Sequence, residues 1–117
     1  MRIDSIVPRP RVERRTPTIR LREQLLDLAQ RRAAVLSHDE KSWASVTFAG
    51  TRHRVELAFE GAEAVEAGEC FIAFLSEHEF AIPRQLVADA AVVAADHRLS
   101  PAPRLTVTCE LLLLDED

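Results

Sequence analysis

SWASVTFAGTRHRVELAF, residues 42–59, decides the fold. Apolar and polar residues alternate on both sides of Gly50-Thr51, and a glycine at the first of two loop positions suits a type II′ hairpin turn. Pairing outward from that loop sets Phe48 opposite His53, Val46 opposite Val55 and Ala44 opposite Leu57. Thr47 then meets Arg54, and Ser45 meets Glu56. One face collects the apolar pairs and the other the polar ones, a match that a one-residue slip would undo. Val55 and Leu57 are thereby assigned to the core.

Upstream, a helix is expected from Thr16–Thr18 to about Ser37 or His38. A threonine serves as N-cap, and Pro17 suits the first helical position. Leu21, Leu25, Leu28 and Val35 recur at helical spacing, joined by Leu26, Ala29, Ala33 and Leu36. Asp27 and Arg31 form an i,i+4 pair on the opposite side. Downstream, residues 62–77 read as a second helix carrying Val65, Gly68, Ile72 and Leu75 on one stripe. Its central Gly68 costs about 1 kcal/mol relative to alanine, so a short strand over 70–75 is the competing reading.

The last third reads as a longer hairpin. Leu86, Ala88, Ala90, Val92 and Ala94 alternate with Val87, Asp89, Ala91 and Val93. Leu105 to Leu113 alternate with Thr106 to Leu114, and the loop 99–103 joins the two runs. Val93, Leu112 and Leu114 fall on the nominally outer face and need a cover, while Asp89 is expected to face solvent. The order α-β-β-α-β-β implies an α+β two-layer sandwich: a four-stranded, mainly antiparallel sheet packed against two helices.

At 117 residues the chain has room for one such domain, residues 18–117, behind a Pro/Arg-rich arm, residues 1–17. Hydrophobic residues make up 47% and aromatics only 5%, with no tyrosine, so Leu, Val and Ala must fill the interior and a base-stacking platform is disfavoured. Cys70 and Cys109 show no metal-ligand spacing and are read as reduced, partly buried thiols. No apolar signal segment or membrane-length run occurs, and a cytoplasmic, bacterial-type protein is expected. The net charge of −4 hides an asymmetry. Nine arginines against four acids give residues 1–32 a charge of +5, and the remainder carries −9.

The chemistry-bearing residues are few. His38-Asp39-Glu40 reads as a solvated helix-to-strand connection. Glu77, His78 and Glu79 follow the second helix and are candidate ligand-binding residues, as is His53, a histidine on an otherwise apolar face. No nucleophile elbow, phosphate loop or His/Cys ligand motif is present, and no metal or cofactor is expected. Arg9, Arg11, Arg14 and Arg15 of the arm, with Val93 and Leu112, are the candidate interface. These features describe a small non-enzymatic, self-associating domain, a homodimer, that binds a protein or small ligand. One alternative is a small enzyme or ligand pocket using His53 or His78 with a nearby carboxylate. Another is nucleic-acid contact through the arm, which the acidic body opposes.

Overall fold

Thr16 opens the first helix as expected: its hydroxyl accepts the Ile19 N–H at 3.3 Å, and Pro17 takes the first helical position. In the computed structural model, which describes residues 16–116, helix α1 spans Pro17–Leu28 and buries Leu21 and Leu25. It stops some nine residues before the expected end. Gln30 and Arg31 both take left-handed φ values, 61° and 58°, and the Arg31 N–H bonds the Leu26 carbonyl at 2.9 Å. Ala33–Ala44 then forms strand β1. The apolar residues Ala33, Val35 and Leu36 sit at helical spacing, but pairing along the adjoining strand outweighs that propensity. Val35 lies opposite Leu57, and Leu36 is bulged out.

The first hairpin exists in a different register from the expected one. The chain reverses at Ser45–Phe48, where the Ser45 N–H donates to the Phe48 carbonyl at 2.8 Å and the Phe48 N–H donates to the Ser45 hydroxyl at 3.2 Å. Gly50 is inside strand β2, Ala49–Glu60, opposite Trp43 on one side and Leu114 on the other. A Cβ at Gly50 would lie 2.0 Å from the Leu113 carbonyl oxygen. The glycine serves a close strand approach, not a turn. His53 therefore faces Glu40 instead of Phe48, Val55 faces His38 instead of Val46, and Leu57 faces Val35 instead of Ala44. The offset is eight residues up to the bulge and nine beyond it, where Leu36 is the extra residue that keeps Val35 on the face of Leu57. Each β2 side chain therefore keeps its expected face, and Val55 and Leu57 are fully buried.

Helix α2, Ala62–Phe74, tightens into a 3-10 turn over Leu75–Glu77, so the helical reading holds over the expected span. Gly68 is buried there because a Cβ would meet Leu105 at 2.7 Å and Phe59 at 2.9 Å. The lost helix propensity accompanies close packing of α2 on the sheet. Strands β3, Gln85–Arg98, and β4, Arg104–Asp115, form the second hairpin. Register shifts between Val87 and Asp89 and between Val92 and Ala94 alter the simple alternation. Leu86 turns outward, while Val87, Ala90 and Val92 pack against the core. Leu114, expected on the exposed face, is buried.

The sheet order is β1-β2-β4-β3, with every neighbouring pair antiparallel. Both helices cover one face. Leu21, Leu25 and Phe71 meet Val55, Leu57, Phe59 and the row Leu105, Val107, Cys109, Leu111 and Leu113. Gln24 ties α1 to the segment before β3, donating to the Ala81 carbonyl at 2.6 Å and accepting its N–H at 3.0 Å. The opposite face is open and mostly charged, as an antiparallel sheet permits. Both cysteines are free. Cys109 is buried, which pushes its thiol up to about 12, and it donates to the Val55 carbonyl at 3.6 Å. Cys70 is exposed on α2 instead of partly buried. No helix among the described residues is long and apolar enough to cross a membrane.

Candidate functional site: a histidine pair and an apolar sheet end

Extension of β1 through residues 38–40 does something the helix-to-strand reading did not foresee. Residues two apart on a strand share a face, so His38 and Glu40 both point to the α1 side, and Asp39 points away. His53 on β2 is directly opposite Glu40 and diagonal to His38. The two imidazoles meet with His38 Nε2 2.9 Å from His53 Nδ1 and ring centroids 5.2 Å apart. Helix α1 adds two groups from its first turns: Thr18 donates its hydroxyl to Glu40 Oε2 at 2.6 Å, and Arg22 Nε lies 3.4 Å from His38 Nδ1.

The order of donors assigns the protons. Arg22 can only donate, so His38 Nδ1 accepts and the His38 proton sits on Nε2. That N–H donates to His53 Nδ1, which places the His53 proton on Nε2. Both rings are therefore neutral. Burial is the main cause holding His38 down to about 4, followed by the neighbouring His53 and the Arg22 guanidinium, against a smaller upward pull from Glu40 and Asp39. Burial likewise lowers His53, opposed by Glu40. His53 is only 2% exposed, so the expected histidine on an apolar face is a core residue with a partner. The sequence reading of His38 and Glu40 as a solvated connection fails because only the β1–β2 register brings them to His53.

This arrangement makes stability depend on pH with a definite sign. The folded values lie below the unfolded value of 6.5. Stability from the pair is thus fully present above about pH 6.5 and is lost as pH falls toward 4, where the unfolded chain binds protons that the native rings refuse. In chelator-treated protein, urea unfolding at pH 7 and pH 4.5 should show wild type losing about 2 kcal/mol more than His38→Gln. That is less than full linkage because a half-buried ring is screened by solvent. Equal losses in the two proteins would contradict the network.

The other expected ligand residues do not join this site. His78 stacks edge-on against Phe80, with centroids 4.6 Å apart, and Glu77 and Glu79 are exposed beside it. Asp89 is exposed on β3, as expected. Of the interface candidates, Arg9, Arg11, Arg14 and Arg15 lie outside the described residues. Leu112 is half-buried on the open face, and Val93 is exposed at the second β3 register shift.

Leu112 belongs to a larger feature. Across the open face, the row nearest the Ser45–Phe48 turn reads Trp43, Gly50, Leu114, Leu86, and the next reads Lys41, Arg52, Leu112, Asp89. Phe48, two residues before Gly50, is 53% exposed, Leu86 is 49% exposed, and Val46 at the tip of the turn has no cover at all. The face turns polar already at the second row, where Leu112 is flanked by charges, and stays mostly so: Asp39, Arg54, Glu110 and Ala91 form one rung, in which Arg54 pairs with Glu110, and Ser37, Glu56, Thr108 and Ala94 form the next. One end of the open face is apolar, and the rest is a ladder of charged and polar groups.

No protein-family profile matches the sequence, and no curated protein is significantly similar to it. Among solved structures, a chain from the virion of a native gene transfer agent particle shares the fold, with a TM-score of 0.55 at 14% identity. The likeness covers 84% of this chain and 91% of that one. At that identity it speaks to fold alone.

Proposed function

We propose that the protein is a non-enzymatic, self-associating subunit whose contact surface is the apolar end of the open sheet face, with the tip of the first hairpin. The observation that carries this reading is the placement of Val46, Phe48, Trp43 and Leu86 together at one end of an otherwise charged face. Apolar surface left in water costs about 25 cal/mol per Å², so a second copy covering it gains that amount before the cost of association. A stable contact buries about 800 Å² on each partner. The apolar end supplies the centre of such a contact, and charged neighbours such as Lys41 and Arg52 supply its rim. The fold shared with a virion chain is consistent with a subunit role. The Arg-rich residues 1–17, with Arg9, Arg11, Arg14 and Arg15, add charge complementary to the acidic remainder and give the association its salt sensitivity.

A double variant, Val46→Asp with Phe48→Asp, tests the surface. Both side chains are exposed, so the fold should persist with circular dichroism unchanged, while the assembled mass in light scattering collapses toward one chain. A double variant that assembles like wild type would rule this surface out as the contact.

A further inference from the structure

We propose that His38, Glu40 and His53 form a binding site for a divalent transition-metal ion of the zinc type. The donor set is two imidazoles and one carboxylate, whose ligand atoms all lie within 4.8 Å of one another. Zinc–nitrogen bonds are about 2.0–2.1 Å, which puts two imidazole nitrogens on one tetrahedral ion about 3.3 Å apart. His38 Nε2 and His53 Nδ1 already stand at 2.9 Å. The strands hold this spacing: His38 and Glu40 share a face of β1, and His53 is on the paired β2. Among the ligands the rings need part by only a few tenths of an ångström, and the larger adjustment falls to the Glu40 carboxylate, at the end of an exposed side chain. Thr18 holds its Oε2 at 2.6 Å, which leaves Oε1 for the ion and orients the carboxylate from outside the ligand set. Two nitrogens and one oxygen suit Zn²⁺, Co²⁺ or Ni²⁺. They do not suit Mg²⁺ or Ca²⁺, which take oxygen ligands.

Binding has a local competitor. In the metal-free state the nitrogens share one proton, and Arg22 donates to His38 Nδ1. An ion on His38 Nε2 requires the ring's single proton to move from Nε2 to Nδ1, where it faces an arginine that also only donates. Arg22 must therefore swing off the ring as the ion enters, which its exposed position allows. The ion's charge also opposes that of the guanidinium. Arg22 is thus a brake on affinity, and its removal should tighten binding.

The experiment is titration of the full, untagged chain with Co²⁺, read by visible d–d absorption, followed by displacement with Zn²⁺. We expect one ion per chain. His38→Ala and Glu40→Gln should each weaken binding roughly tenfold or more, while Arg22→Gln should bind severalfold tighter with the same spectrum. Circular dichroism checks that each variant folds, and His38 and Glu40 are chosen over the buried His53 for that reason. Absence of binding at about 10⁻⁴ M Co²⁺, between millimolar and micromolar affinity, would overturn the proposal. So would binding that is unchanged in both His38→Ala and Glu40→Gln, because the ion would then be held elsewhere.

Discussion

Val55→Asp should abolish folding, while Arg54→Asp, one position away, should lower stability by only about 1 kcal/mol. Val55 is fully buried on the helix-covered face, between His38 on β1 and Cys109 on β4. An aspartate there forfeits about 2 kcal/mol of apolar burial and adds an ionisable group beside neutral imidazoles and a thiol that donates to a backbone carbonyl. Burying such a charge without a cation costs several kcal/mol more, which together exceeds what a domain of this size can lose. Arg54 points to the open face and pairs with Glu110, and its side chain is 55% exposed. Replacing it breaks a screened ion pair and places an acid between Asp39 on β1 and Glu110 on β4, all three exposed enough to be screened by solvent. Urea titration followed by circular dichroism separates the two: no cooperative transition for Val55→Asp, and a small shift in midpoint for Arg54→Asp. Similar losses in both would mean that β2 presents its faces the other way.

Gly50→Ala should be nearly as damaging, although it adds a single methyl group. That methyl would sit 2.0 Å from the Leu113 carbonyl oxygen and 2.9 Å from the Leu114 Cα. Both are backbone atoms of β4 and cannot rotate away, so β2 and β4 must separate at the centre of the sheet. Overpacking of this kind costs about 1–3 kcal/mol, and more where main chain must move. Gly61→Ala is the control. Gly61 has a φ of 97°, but nothing lies within 4 Å of an added Cβ, so only conformational strain of about 1–3 kcal/mol applies, with no main chain to push apart. Thermal unfolding should rank Gly50→Ala well below Gly61→Ala, and the reverse order would contradict the close strand approach.

Gly50 also explains what could and could not be read from the chain. Its role is set by β4, more than 60 residues away, so sequence logic assigned it to the nearest turn. Once the turn was placed there, residues 33–37 had no strand partner, and the helical spacing of Val35 and Leu36 prevailed. Local alternation was sufficient to identify β2, β4 and their buried faces, because each strand's own period of two fixes its faces whatever partner it takes. The two left-handed residues, Gln30 and Arg31, carry no glycine or asparagine to announce the end of α1. The histidine pair depended on the same error: His38 and His53 approach only when β1 is a strand. The apolar end of the open face was legible in part, through Leu112. Trp43, Phe48 and Leu86 reached it only through the actual register and the shift near Ala88.

Sedimentation velocity of the full-length chain across micromolar concentrations, at low and high salt, tests self-association directly. The account predicts a concentration-dependent mass above that of one 13.1 kDa chain, weakened as salt screens the Arg-rich segment. A single species at the mass of one chain at every concentration and at low salt would contradict it.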